Sequence, residues 1–208
     1  SPQGFDPEIF GAIDAAINAG RSLRLATDLK TGVSRIVDNE MAVPDGEFTN
    51  LYLPPRRLLI VGAVEIAVTL SAIASSMGVD VTIIDPRGHF LTKDRFPGRK
   101  LDDRWPDEAI TDLRPDIRTA VITLSHDPKI DDPALIAALN SQAKYIAALG
   151  SRRSHANRLH RLTAAGIATD RLDRIEGPAG VAINAISAGE IALSMAAGMI
   201  RAFNDGLH

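Results

Sequence analysis

The chain has 208 residues, 45% of them hydrophobic and 24% charged, with a net charge of −3. That is ordinary globular composition with no overall positive field to gather nucleic acid, and the absence of cysteine excludes disulfides, thiolate zinc sites and a cysteine nucleophile. No apolar run approaches the ~20 residues that span a bilayer and no signal peptide opens the chain, so a cytoplasmic protein without a membrane span is expected; the start at Ser1-Pro2 points to a trimmed chain or the interior of a longer gene product.

Residues 6–19 predict a helix: Asp6 can cap it, Pro7 fits its first turn, and apolar residues return every three or four positions. Short strands are expected around 22–27 and 34–37, joined through Lys30-Thr31-Gly32. Pro54-Pro55 closes this segment. Residues 1–53 therefore read as a spacer or remnant domain, too small for a core of its own, and 54–208 as the main domain.

From Arg57 onward, strands and helices alternate. The first strand runs into Gly62-Ala63-Val64-Glu65 and then a helix; the second, 79–84, ends in Asp85. This is the layout of a βαβ nucleotide-binding unit, with phosphate over the first helix N-terminus and Asp85 at ribose hydroxyls. Val64 stands where the usual pattern has its middle glycine, and a β-branched side chain there obstructs a pyrophosphate. Residues 86–118 carry Pro86, Pro97, Pro106 and Pro115 and read as a crossover with a short helix near 107–113. A third strand is expected at 119–124 and a fourth at 144–149, with helices near 133–142, 152–165 and 188–203. Asp132-Pro133 reads as cap and first turn of one helix, and Ser187 with Glu190 as a capping box on the last. The expected fold is α/β: a Rossmann-like, doubly wound, mostly parallel sheet with helices on both faces, plus a small N-terminal α+β appendage. The low-charge last helix reads as core against the sheet, with a homodimer seam as the alternative.

In such sheets ligands bind beyond the carboxyl ends of the strands. Those ends supply the candidates: Gly62, Ala63, Val64 and Glu65; Asp85 and Arg87; His126, Asp127 and Lys129; Gly150, Ser151, Arg152 and Arg153. Residues 125–132 suit a metal, a proton-transfer group or a polar heterocycle, or else a capped loop. Gly150 and the helix start at Ser151 suit an anion, with Arg152 and Arg153 as forks for phosphate oxygens. Arg158, Arg161, Arg171 and Arg174 read as an outer helix face.

Several segments, in the same order, resemble the XdhC/CoxI family of maturation factors for molybdenum hydroxylases. Ile60-Val61-Gly62-Ala63-Val64-Glu65-Ile66-Ala67 resembles the family's first turn, and Val81-Thr82-Ile83-Ile84-Asp85-Pro86-Arg87 with Arg95-Phe96-Pro97 its second strand and following loop. Ser125-His126-Asp127-Pro128-Lys129-Ile130-Asp131-Asp132-Pro133-Ala134-Leu135 and Ala148-Leu149-Gly150-Ser151-Arg152-Arg153-Ser154-His155-Ala156 are similar to two more family strings. The resemblance spans about residues 50–203, the family's C-terminal Rossmann domain. It implies a factor that binds molybdenum cofactor (molybdopterin), protects it during sulfuration and hands it to an apo-enzyme of the xanthine dehydrogenase or CO dehydrogenase type, with a sulfurtransferase as a further partner and no covalent chemistry. The phosphate would rest at Gly62 or Ser151, clamped by Arg152 and Arg153, with His126 and Asp127 facing the heterocycle or metal. The departures cluster: Glu65 replaces a histidine, and the last motif carries Ala182 for an acid, Asn184 for a glycine, Ile186 for a basic residue and Ala188 for a proline. Two other readings stand beside it. One is an NAD(P)-linked oxidoreductase with Asp85 on the ribose and His126 moving the proton. The other is a diverged docking paralogue without ligand, motivated by Ala182 and Ile186.

Overall fold

The computed structural model describes residues 6–39 and 41–205, and the chain divides after Pro55 into two compact units. In the first, helix α1 (Pro7–Asn18) begins at Asp6, whose side chain accepts a hydrogen bond from the Glu8 N–H at 2.9 Å. Strands β1 (Leu23–Asp28), β2 (Ser34–Val37) and β3 (Glu47–Tyr52) follow and form an antiparallel sheet in the order β2-β1-β3. The third strand has no clear alternation in its sequence, which is why only two were expected. Contrary to expectation this unit holds a small apolar cluster of its own, with Ile13, Ala16, Leu23 and Leu25 buried.

The second unit runs β4 (Arg57–Val61), α2 (Glu65–Ser76), β5 (Asp80–Ile84), β6 (Lys100–Asp102), α3 (Pro106–Leu113), β7 (Thr119–Thr123), α4 (Pro128–Leu139), β8 (Tyr145–Ala148), α5 (Arg152–Ala164), α6 (Thr169–Leu172), β9 (Ile175–Glu176) and α7 (Ala188–Asn204). A 3₁₀ turn, Gly88–Phe90, lies after β5. The six strands are all parallel, in the order β6-β5-β4-β7-β8-β9. Strand order therefore reverses at β4 and β7, the crevice where doubly wound sheets take their ligands.

The four inner strands, β5, β4, β7 and β8, are largely apolar because both faces are covered, and the two-residue repeat sorts each side chain to one face. Leu58, Ile60, Val81, Ile83, Ala120 and Ile122 pack in one cluster with Ala67 and Leu70 of α2 and Met195 and Met199 of α7. Leu59, Val61, Ile84, Val121 and Ile146 face the other way, toward Ile110 of α3, Leu135 of α4 and Leu162 of α5. Helix α7 starts at a capping box, Ser187 accepting from the Glu190 N–H and Glu190 from the Ser187 N–H, and its Met195 and Met199 are core residues.

Two short strands went unread. Strand β6 is an edge strand with two charged residues out of three, and β9 has two residues, so neither carries a periodicity to detect. Helix α4 starts five residues before the expected position. Asp127 caps it by accepting from the Lys129 N–H at 2.9 Å, Pro128 occupies its first turn, and Pro133 lies inside. Asp132 is released from capping and instead holds Arg161 through two bonds of 2.7 and 2.9 Å.

Candidate functional site

The β4 turn is held from every side. Gly62 has φ +106°, and a Cβ there would lie 2.7 Å from the Ser125 backbone nitrogen, so only glycine lets the β4 and β7 loops meet at this distance. The Ala63 N–H donates to Asp85 Oδ2 at 2.8 Å, and Arg95 Nη1 donates to the Ala63 carbonyl at 2.7 Å. Val64 is the N-cap of α2 without a capping side-chain bond and packs on the apolar cluster, with Glu65 exposed beside it.

Asp85 is fully buried, and its carboxylate is already engaged. Oδ1 accepts from the Arg87 N–H and Nε, both at 2.9 Å, and Oδ2 accepts from Arg87 Nη2 at 2.8 Å as well as from Ala63. Burial works against its charge, but bonds from the Arg87 side chain, from Ala63 and from the Arg87 N–H outweigh it and leave the carboxyl below its ordinary range. A ribose hydroxyl could reach this acid only by displacing Arg87. The expected ribose contact is thus a structural brace, and Arg87 is the part of the pair that meets solvent.

Beyond β7, Ser125 Oγ donates to Asp131 Oδ1 at 2.6 Å and accepts from the Asp127 N–H at 3.1 Å. His126, exposed, has a left-handed φ of +61°, a conformation uncommon outside glycine. Asp131 is 3% exposed. Burial raises its pKa, and the Ser125 hydroxyl and the Arg158 charge only partly oppose this. A carboxyl with a raised folded-state pKa contributes stability below its unfolded value, and loses it as pH rises through the folded value. Asp131→Asn, which mimics the protonated form, is expected to stabilise the fold at pH 7 by on the order of 1 kcal/mol and to lose that gain by about pH 4, near the unfolded carboxyl value. Thermal unfolding at the two pH values checks this.

Beyond β8, Gly150 has φ +144° and lies close under Ser154, and Ser151 caps α5 by accepting from the Ser154 N–H at 3.1 Å. Arg152 and Arg153 follow, exposed. Helices α1, α2, α3, α4 and α7 each carry an acid in the first turn, whereas α5 carries none and opens on these two cations. Cations at a helix N-terminus oppose its dipole.

Arg158 was expected on the outer helix face but is 4% exposed. It stands four residues before the fully buried Leu162, on the inward stripe of α5, which is the signal that could have placed it. Its Nη2 donates to the Leu149 carbonyl at 2.8 Å. Arg171 and Arg174 are likewise engaged, both donating to the Leu139 carbonyl at the end of α4.

Two cavities flank the start of α5. One, of about 290 Å³, lies between α4 and α5 and is lined by His126, Pro128, Asp131, Ser154, Asn157, Arg158 and Arg161. The other, of about 430 Å³, is lined by Leu149, Gly150, Arg152, Ile191, Ser194 and the largely apolar loop 178–185, which includes Ala182 and Asn184. His126 and Arg152 therefore open onto adjoining cavities and not onto a single one. Glu65, Lys129 and Arg153 line neither. Ile186 is 90% exposed at the end of the apolar loop. Among the described residues no group of histidines and acids could hold a metal ion, and no helix is long and apolar enough to cross a membrane.

The Escherichia coli K12 molybdenum cofactor insertion chaperone PaoD is 32% identical over 146 residues, which make up 70% of this chain and 40% of PaoD. The chain thus spans well under half the length of that relative. A crystal structure of a Bacillus halodurans protein, described as a xanthine dehydrogenase, shares the fold with a TM-score of 0.79 at 22% identity, over 96% of this chain and 65% of that one. The family model of the XdhC Rossmann domain matches residues 58–199, from β4 into α7, and the chain belongs to that family.

Proposed function

We propose that this chain is a molybdenum cofactor chaperone that holds the cofactor at the carboxyl edge of its sheet and passes it to a molybdenum hydroxylase. The observation that carries this is the identity with PaoD, together with the position of the segments 125–135 and 148–156 around the two cavities beside the strand-order switch.

The residues present fit a phosphate-bearing pterin. Buried Arg158 has two nitrogens, Nε and Nη1, without an acceptor, and Arg152 and Arg153 stand at a helix N-terminus whose first turn carries no acid. The largely apolar loop 178–185 lines the second cavity together with Arg152, a pairing of apolar surface and cation that suits a ring carrying a charged group. When bound, the cofactor supplies the redox chemistry of the client enzyme. The chain's own residues only bind, orient and shield it. Gly62, Ala63, Asp85 and Arg87 brace the β4 turn and the loop after β5, and Val64 and Glu65 bound that turn; His126, Gly150 and Arg152 line the two cavities, with Asp127, Lys129, Ser151 and Arg153 beside them in sequence. A sulfurtransferase acting on the held cofactor fits a role that ends in release. An oxidoreductase reading would need a pyrophosphate over Val64 and a ribose on Asp85, and neither group is free to serve.

Arg152→Ala with Arg153→Ala is expected to reduce cofactor retention by about tenfold or more, since charge-assisted bonds contribute roughly 1.5–3 kcal/mol each. Pterin fluorescence of protein purified from cofactor-producing cells measures this, and undiminished retention contradicts the assignment. Titration with NADH and NADPH covers the rival, for which micromolar binding would count.

A further inference from the structure

We propose that the cavity between α4 and α5 is an oxyanion pocket, taking a phosphate-class group on the guanidinium of Arg158. This deepens the chaperone reading, on which the identity of the phosphate-bearing molecule rests.

Arg158 is almost wholly buried, and only its Nη2 has a partner. Nε and Nη1 are buried and without an acceptor, and Arg158 forms none of the ion pairs found among the described residues. A buried guanidinium with unmet donors is costly unless an acceptor completes it, and paired guanidinium donors match the oxygens of a tetrahedral anion. Arg161, three residues on, shows the contrast: its head is held by Asp132 through two bonds and is unavailable.

The rest of the cavity suits the same occupant. Ser154 and Asn157 add a hydroxyl and an amide from the exposed edge of α5, and His126 stands at the mouth in its left-handed conformation. The volume, near the small end of ligand sites, fits one headgroup rather than a whole cofactor. Asp131 shares the wall and is the single carboxylate lining it, tied to Ser125, with burial shifting its preference toward the neutral form and the Arg158 charge partly opposing that shift. An anion beside Arg158 adds to that preference, so binding and proton uptake at Asp131 reinforce each other.

Isothermal titration of the full chain with inorganic phosphate, against chloride at equal ionic strength, tests this. One-site binding is expected in the wild type. Arg158→Gln should weaken it by about tenfold or more, the loss expected for a charged hydrogen-bond donor. Because Arg158 also holds Leu149, Asn157→Asp provides a second variant: it adds a negative charge at an exposed lining position, leaves the guanidinium intact and should weaken phosphate comparably. Asp131→Asn should tighten binding, and Lys100→Gln, at a distant surface pair, should leave it unchanged. Absence of phosphate binding by the wild type, or affinity unaltered by both Arg158→Gln and Asn157→Asp, overturns the pocket. Pterin retention, measured on the same proteins, separates the two claims. Phosphate binding through Arg158 in a chain that retains no pterin supports the pocket and contradicts the chaperone reading. Pterin retention untouched by Asn157→Asp contradicts the pocket as the cofactor's phosphate site and leaves that reading standing.

Discussion

Asp85→Ala is expected to destabilise the large unit by about 2–3 kcal/mol, the cost of leaving the Ala63 N–H and the donors of the partly exposed Arg87 without their buried acceptor. The carboxylate is fully buried and collects four hydrogen bonds, three from Arg87 and one from the Ala63 N–H, so its loss strands donors on both the β4 turn and the β5 loop. The pH dependence follows from the same bonds. Because the folded-state pKa lies below the ordinary one, the contribution is present above the unfolded value of about 3.9 and is lost as pH falls through the folded value. Urea unfolding at pH 7, followed by an acid titration of the wild type, measures both. A variant as stable as the wild type, with an altered preference between NADH and NADPH, is the result for an acid that serves a ribose, and it would contradict the bracing role.

The second large effect is expected at Gly62. Gly62→Ala places a methyl 2.7 Å from the Ser125 nitrogen on a backbone at φ +106°, and strain and overpacking together cost on the order of 3 kcal/mol. The neighbouring backbone is pinned, with the Gly62 N–H donating to Ile84 and the Leu124 N–H to Val61, so relief must come from the Ser125 loop. That loop carries His126 and the start of α4. The substitution should therefore lower stability and loosen ligand binding together, in urea unfolding and in the phosphate titration. A change within about 0.5 kcal/mol, typical of an inert surface site, would show that the two loops do not meet as described.

Much of this architecture is legible from residue pattern alone. Buried parallel strands read as apolar runs, and the glycine turn after β4, the acid after β5 and the Ser187–Glu190 box mark their positions without tertiary information. The failures have local causes. Asp127-Pro128 and Asp132-Pro133 are equivalent as cap and first-turn pairs, and the general penalty on an interior proline favours the later one. The earlier one is used with Asp132 drawn to Arg161 on another helix and Asp131 to Ser125 at the end of β7, contacts that no spacing rule displays. Asp85 occupies the position of a ribose-binding acid, yet Arg87, two residues on, folds back onto it. Arg158 looked like a solvated cation because its neighbours Arg153 and Arg161 are also basic; only the stripe through Leu162 sets it apart. In each case sequence marked a residue as polar and placed it on an element, while the side-chain contact that decides its role, near or far along the chain, leaves no mark in the spacing.

Mass spectrometry of small molecules released from natively purified protein, made in cells that synthesise molybdenum cofactor, tests the chaperone role most directly. A pterin phosphate released in stoichiometric amount from the wild type, and depleted when Arg152 and Arg153 are replaced, is the predicted result. Release of a nicotinamide dinucleotide in its place, or of no pterin from protein that still captures a hydroxylase subunit, would contradict it.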